Sequence, residues 1–449
     1  MGLFKKILIA NRGEIALRVI KTCKRLEIET VAVYSDADVN APFVNEATEA
    51  VCIGEGQAKK SYLNIEKIIQ VAKETNVDAI HPGYGFLSEN PQFVTQCEKE
   101  GITFIGPTAD VMALMGSKVE SRYKMHEAGI PVVPGSEKSV ESLEQALVFA
   151  EDLGYPLMLK ASAGGGGIGM NLVHNAEELK NKFHSTKQQA GQFFGDDTLL
   201  IEKLIKNPRH IEVQIAADHH GNIVHLFERE CSIQRRHQKV IEEGPSPYLD
   251  DELRENLLQT ALLGVKHIGY TNLGTMEFIF DDDKNFYFLE MNTRLQVEHP
   301  VTEEITGLDL VEWQLRIAAN ETLPLKQDGI KRHGHSIECR LYAEDPVNFF
   351  PSPGKIDRLH LPDENGRFDF GVVEGSEVTP FYDPMIGKII VHDDTRENAI
   401  KKMEEVLSQM EVEGIKTNLP LLEEIVQDTD FKKGSYTTNF LADKSRRNN

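Results

Sequence analysis

The sequence is short of features that would tie it to an oxidising or membrane environment. Its five cysteines, Cys23, Cys52, Cys97, Cys231 and Cys339, are odd in number, widely spaced and without a CxxC pair. That pattern fits a reducing cytosol better than a disulfide framework and implies no zinc site. No uninterrupted apolar run approaches the about 20 residues that a membrane helix needs. The opening GLFKKILIANRGE stops its short apolar run at a polar turn and does not read as a leader or an anchor. Basic residues are scarce, 49 Lys and Arg against 71 Asp and Glu, and the formal net charge of −22 argues against a coat for nucleic acid or anionic membrane. Local basic clusters are therefore informative. GxGxxG is missing, which weakens a dinucleotide reading, and the absence of GxxxxGK[ST] excludes a Walker loop. Repeats and low-complexity segments are absent as well.

What is present reads as ordered α/β and α+β structure. At 449 residues the chain exceeds one ordinary core and suggests about two to four domains. KKILIA reads as a buried strand, followed by the turn NRGE, the helically spaced IALRVIKTCKRL and a second strand in ETVAVYSD. This βαβ unit resembles a nucleotide-binding half-fold, and a merely structural unit stays equally open. The pattern continues through DAIHPGYGFLSEN and ITFIGP to about residue 115. Residues from about 131 to 204 read as a compact α+β module with four consecutive glycines inside a hairpin. Strands dominate from 205 to about 330, including the pair TMEFIF and FYFLEMN around the turn DDDKN. The last part starts with strands at HSIECRLYAEDP and ends in a helix over 398–410 followed by a short polar tail.

Period two along FYFLEMNTRLQVEH places Glu290, Asn292, Arg294, Gln296 and Glu298 on one face if the chain stays extended. Phe278, Phe280, Phe288 and Leu289 mark these strands as buried, so Glu277 and Glu290 need a cation. Magnesium suits two carboxylates and the amide oxygen of Asn292, with substrate phosphates completing its octahedron. The alternative is an ordinary salt-bridged face neutralised by Arg294. The block ERECSIQRRHQKVIEE packs Arg229, Arg235, Arg236, His237 and Lys239 into an acidic chain and invites a phosphate or another small anion, unless it is a solvated basic face. NPRHIEVQ adds Arg209 and His210 just before it. Lys160 ends a strand directly before the glycines, which allow backbone amides to close on phosphate oxygens. A linker would add serine and sit between polar stretches, whereas strands flank this loop. It reads as a moving hairpin over a triphosphate.

The runs IANRGEIALR, AIHPGYGFLSEN, KASAGGGG, NPRHIE, QRRHQKVIEE, EMNTRLQVEHPVTE, ECRLYAEDP and FPSPGKI cover nearly the whole chain. In these motifs it resembles the ATP-grasp ligases and, more narrowly, the biotin carboxylases. The resemblance implies a Rossmann-like N-terminal domain over 1–115, an ATP-grasp domain over 116–330 with its mobile lid at about 131–204, and a C-terminal α+β domain over 331–449. It implies ATP contacts at Lys118, Lys160, Gly166, Gly167, Glu202, Lys203, Leu204, Ile205, His210 and His237. Its Mg2+ or Mn2+ ligands fall on Glu277, Glu290 and Asn292, the trio that the hairpin reading selects. The bicarbonate pocket falls on Lys239, Arg294, Gln296 and the backbone of Val297, the biotin site on Tyr84 and Arg340, and the general base on Glu298. The activity implied is ATP- and bicarbonate-dependent carboxylation of biotin N1 through carboxyphosphate, the first half-reaction of an acyl-CoA carboxylase, with Lys239, Arg294, Glu298 and Arg340 as catalytic groups.

Biotinylated carriers present a lysine between two methionines, and both Lys-Met pairs here, Lys124-Met125 and Lys402-Met403, lack the preceding methionine. The carrier is therefore expected as another chain, a biotin carboxyl carrier protein. A separate carboxyltransferase subunit is expected too, because the sequence does not continue into one. The resemblance further implies a cytoplasmic homodimer, with no nucleic acid or membrane partner, and leaves the final acyl-CoA to the partner. The chain departs from the family at Ile168 and Asn171, where basic residues are usual; losing each charge should weaken ATP binding or lid closure by about 1 kcal/mol. Another bicarbonate-activating ATP-grasp ligase, such as a carbamoyl phosphate synthetase, is a second reading, against which HPGYGFLSEN and Arg340 in ECRLYAEDP speak. A silent nucleotide-binding scaffold is a third, supported only by Ile168 and Asn171.

Overall fold

The computed structural model describes residues 2–136, 139–162, 169–362 and 365–447. The chain begins as a parallel sheet in the order Glu49–Gly54, Glu29–Ser35, Lys6–Ile9, Ala79–His81, Thr103–Phe104. Ile7, Leu8 and Ile9 are all fully buried although they point to opposite faces, as a parallel sheet covered on both sides requires. Helix Gly13–Arg25 covers one face with Ile15, Ala16, Val19, Ile20 and Cys23, a spacing that makes a single apolar stripe. Strand order reverses beside Lys6–Ile9, and this opens a crevice at the carboxyl ends of Lys6–Ile9 and Ala79–His81.

The second unit is antiparallel. Leu157–Ala161 pairs with Met170–Val173 on one side and Leu199–Lys203 on the other. Helices Leu143–Leu153 and Ala176–Phe194 pack on it, each started by a side-chain cap: Ser142 accepts from Gln145 N and Asn175 from Glu178 N. Both arms of the expected hairpin are thus present, while Gly166, Gly167 and Ile168 lie outside the described residues. Asn171 donates to Thr186 Oγ1 at 2.9 Å and ties the returning strand to the longer helix.

The third unit is an eight-stranded sheet in the order Phe286–Asn292, Asn272–Phe280, Arg209–Ala217, Ile223–Arg235, Gln238–Gly244, His335–Tyr342, Met385–Asp393, Arg367–Phe370. Residue 330 is not a break in this sheet. Gln238–Gly244 pairs with His335–Tyr342, and Ile233, Val240 and Ile241 share one core with Ile337, Ile389, Met403 and Leu422.

Three local expectations need correction. The 205–330 stretch also holds helices Asp251–His267, His299–Thr306 and Leu310–Ala318, the first started by Asp250, which accepts from Leu253 N at 2.9 Å. The polar-looking tail after 410 folds into helices Leu419–Gln427, Thr429–Lys432 and Phe440–Arg447, because Leu422, Ile425, Val426, Phe431 and Tyr436 supply enough apolar surface to dock them. The run that begins at Phe286 stays extended only to Asn292; Glu298 is already the residue before helix His299–Thr306, whose Pro300 suits a first helical turn.

Glu243 fastens the C-terminal helices to the sheet. Its carboxylate accepts from His335 Nε2 at 2.6 Å, from Arg396 Nε and Nη2 at 2.6 and 2.9 Å, and from Tyr436 Oη. Burial opposes its ionisation, but the bonds from His335 and Arg396 bring the group down to about 2. A depressed carboxyl contributes stability that is complete above its unfolded value of 4.5 and is lost as pH falls toward about 2. Glu243→Gln should cost about 3–5 kcal/mol by denaturant unfolding at pH 7, and the gap from the wild type should narrow as pH drops below about 4.

Candidate active site

A cavity of about 650 Å³ opens where the three units meet. The parallel sheet supplies Asn11, Arg12, Gly13 and Glu14 from the end of one strand, and Tyr84, Gly85 and Phe86 from the end of its neighbour. Gly83 is required between them. It has φ +62°, and a Cβ there would lie 2.8 Å from Asn11 Nδ2, which donates to Pro82 O and Tyr84 O at 2.7 Å. The antiparallel unit adds Lys160 and Met170, helix Lys118–Glu127 its first residue, and the large sheet and the turns beside it most of the remaining wall.

Charge in the large sheet is organised by register. Arg229, Glu212, Glu277 and Glu290 lie directly opposite one another on four successive strands. Like charges in such positions repel, and three carboxylates in line need cations. At one end, fully buried Arg229 donates to Glu212 Oε1 at 2.7 Å, and its other nitrogens bond Gln214, Thr302 and Gln296. In the middle, Lys239 Nζ sits 2.6 Å from Glu212 Oε2, 2.8 Å from Glu277 Oε1 and 2.6 Å from Glu298 Oε1. His210 Nδ1 faces Gln234 Nε2 at 2.8 Å, leaving Nε2 toward Glu277 Oε2 at 2.9 Å. Burial alone would raise the Glu277 carboxyl, yet Lys239 and His210 hold it well below the usual range. Burial lowers His210, and Glu277 more than reverses this, so the imidazole is raised. His210, Glu212 and Glu277 approach closely enough to ligate an ion, but the ammonium of Lys239 already stands among the acids.

The far end of the row is different. Among the described residues Glu290 accepts only a long hydrogen bond of 3.4 Å from Asn292 Nδ2, and it lies across from Glu277 in the strand register. Asn292 Oδ1 is held by Gln296 Nε2 at 3.0 Å and Arg294 Nη2 at 2.9 Å. Two carboxylates and an amide oxygen beside a cavity fit a hard divalent cation that shares further ligands with a phosphate substrate.

The turn after Asn292 still delivers its side chains to the cavity, although not as an extended face. Arg294 is aimed by Glu89, which accepts from Nε at 2.9 Å, and Gln296 donates to Glu277 Oε1 at 2.7 Å. Glu298 sits between Lys239 and Arg340, with Arg340 Nη2 at 2.9 Å from Oε2. Burial opposes its charge, and these two cations overcome burial and hold it well below the usual carboxylate range. Val297 O accepts from fully buried Lys388 at 2.8 Å, which pins the turn from behind.

Lys118 and Lys160 face the same space; burial pulls Lys118 down against the attraction of Glu290. Lys160 Nζ is held by Glu202 at 2.5 Å, and Arg122 reaches the other oxygen of Glu202 at 3.3 Å. Glu202, Lys203, Leu204 and Ile205 do not line the cavity among the described residues; Lys203 donates to Leu153 O and Gly154 O. His237 lines it from a hairpin turn in which Arg236 and His237 have φ +50° and +68°, a left-handed pair usually filled by Asn or Gly. The strained turn fits a functional constraint on where His237 points.

The basic block is not one anion site. Arg229 is consumed by the buried network and Arg235 pairs with Glu344. Arg209 bonds Gly434 O at 2.6 Å and stacks over Tyr248. Of the residues singled out in that block, only His237 and Lys239 line the cavity.

Three family models match the chain: "Biotin carboxylase, N-terminal domain" over 3–112, "Carbamoyl-phosphate synthase L chain, ATP binding domain" over 117–326 and "Biotin carboxylase C-terminal domain" over 338–443. Biotin carboxylase 2 of Bacillus subtilis (strain 168) is 61% identical over 440 residues, 98% of this chain and 99% of that protein. The chain belongs to the biotin carboxylase family. Among solved biotin carboxylases, the domain dimer of Hydrogenobacter thermophilus 2-oxoglutarate carboxylase, in complex with MgADP, ADP and bicarbonate, is similar with a TM-score of 0.97 at 48% identity, covering 99% of each chain. A Campylobacter jejuni biotin carboxylase, in a β-γ-ATP complex, is similar with a TM-score of 0.96 at 46% identity, covering 98% of this chain and 99% of that one.

Against this biotin carboxylase background, the cavity brings together Tyr84, Lys118, Lys160, His210, His237, Lys239, Glu277, Glu290, Asn292, Arg294, Gln296, Val297, Glu298 and Arg340. Sequence reasoning missed Glu212, which period two from His210 could have found, and Glu89, which only the folded chain brings to Arg294. Lys239→Met should leave three carboxylates without their common cation. Losing the ammonium moves all three folded carboxyls upward, Glu212 further above its already raised position, so the destabilisation, about 3–5 kcal/mol at pH 7, should grow as pH increases from about 5 to 8 in denaturant titrations.

Proposed function

We propose that this chain carboxylates biotin N1, using bicarbonate and ATP, as the first half-reaction of an acyl-CoA carboxylase. The observation that supports it best is an anion pocket beside a cation site: Lys239, Arg294 and Gln296 adjoin the acidic row whose end, Glu290, faces an open cavity. Lys118, Lys160, His210 and His237 are assigned to ATP, together with Gly166, Gly167 and the Glu202, Lys203, Leu204, Ile205 segment. Glu277, Glu290 and Asn292 would hold Mg2+, which supplies neutralisation of phosphate charge when bound.

Bicarbonate is oriented by Lys239, Arg294, Gln296 and the Val297 amide for in-line attack on the γ-phosphate. Glu298 is the base. As it stands it is a weak one, held ionised by Lys239 and Arg340; an arriving anion competes for Lys239 and repels the carboxylate, and both effects restore basicity. Carboxyphosphate then breaks into carbon dioxide and phosphate, phosphate takes the N1 proton while Arg340 stabilises the ureido oxygen beside Tyr84, and N1 adds to the carbon of the carbon dioxide.

The biotin is assigned to a separate biotin carboxyl carrier protein, and the second half-reaction to a carboxyltransferase subunit. The dimer of the Hydrogenobacter domain supports a homodimer here. Domain limits at 1–115, 116–330 and 331–449 and a cytoplasmic setting complete the reading; among the described residues no helix is long and apolar enough to cross a membrane.

ATP hydrolysis by the purified protein should depend on bicarbonate and increase with free biotin; no turnover at saturating ATP and magnesium would favour a silent scaffold. Glu298→Gln should lose at least about 100-fold in biotin carboxylation while still binding ATP. Near-normal carboxylation by that variant would remove Glu298 as the base.

A further inference from the structure

Behind the cavity, the large sheet carries buried charge that the reaction above does not use. Glu242 and Glu338 are directly opposite on Gln238–Gly244 and His335–Tyr342. Two residues along the second strand, Arg340 is opposite Lys388, which is opposite Asp369 in turn. Alternation puts these side chains on one face. Both glutamates are fully buried, and neither oxygen of Glu338 has a hydrogen-bond partner among the described residues. Glu242 Oε1 lies 2.5 Å from Arg340 Nη2, the same nitrogen that reaches Glu298. The other charges around the pair are Lys239 on the strand of Glu242, Lys388 on the next strand, Glu298 ahead of His299–Thr306, and Glu14 of helix Gly13–Arg25, whose Oε1 is 3.2 Å from Lys388.

Two carboxylates facing each other in a dry interior do not both ionise. Burial, only partly offset by Arg340, pushes Glu242 up to about 7; burial, only partly offset by Lys388, pushes Glu338 well above its usual value.

We propose that Glu242 and Glu338 share one proton and that this proton sets how much positive charge Arg340 presents to the cavity. The assignment of that charge to the biotin site rests on the proposed function; the shared proton does not. Arg340 already reaches Glu298 and Glu242 with one nitrogen. Losing the shared proton adds a negative charge behind it and weakens its hold on a developing oxyanion in front, so biotin-dependent turnover falls as pH rises through the titration of the pair. Glu242 and Glu338 are positioning residues, acting through Arg340.

Infrared difference spectra of the ligand-free protein between about pH 6 and pH 9 test the proton directly. A protonated-carboxyl stretch should disappear on raising pH, and Glu338→Gln should lack one group's share of it. Glu338→Asp, which keeps an acid and guards against a folding failure, should alter that share of the band. The alkaline limb of the biotin-stimulated rate should move up by about one pH unit or more in Glu338→Gln. The same infrared change in the wild type and both variants, or an unmoved alkaline limb, would overturn the proposal. Because the infrared change is read without substrate, its presence in a protein that hydrolyses no ATP would count against the function and not against the shared proton.

Discussion

Three carboxylates in line across neighbouring strands, Glu212, Glu277 and Glu290, are a repulsive arrangement that no sheet tolerates unaided. The ammonium of Lys239 resolves most of it by standing within 2.8 Å of two of them and of Glu298. Arg229 closes one end of the row, which leaves the carboxylate of Glu290 turned toward the cavity and available to a divalent cation. The proposed anion pocket and cation site are therefore not independent. Both follow from one register of four strands and one lysine on a fifth.

That arrangement also explains why an acidic chain can bind anions. The formal charge of −22 belongs to the whole surface, whereas the cavity wall gathers Lys118, Lys160, Lys239, Arg294 and Arg340 from segments far apart in sequence. Four of them are aimed by acidic partners: Glu202 for Lys160, Glu212, Glu277 and Glu298 for Lys239, Glu89 for Arg294, Glu242 and Glu298 for Arg340. The partners fix geometry and at the same time reduce the charge presented to a ligand.

Much of this was legible in the sequence. The βαβ opening and the hairpin arms around the glycines follow from period and burial, as does the meeting of Glu277, Glu290 and Asn292 at one cavity, and long motifs identified the family. Helix Asp251–His267 was hidden because its apolar positions were read as part of a strand-rich stretch. The basic block misled for a different reason. Composition cannot say which arginine meets a glutamate on the next strand, and Arg229, Arg235 and Arg209 all do or find buried partners elsewhere. Glu89, Glu242, Glu338 and Lys388 could not be assigned from sequence at all, since each acts through a neighbour supplied by long-range pairing.

The central claim is that Lys239 and the acidic row stabilise one another. A double-mutant cycle on unfolding free energy, pairing Lys239→Met with Glu212→Gln, tests it most directly. The account predicts that the double variant is less destabilised than the sum of the single variants by about 1 kcal/mol or more, because the second substitution removes a charge that the first left unpaired. Additive destabilisation would contradict it.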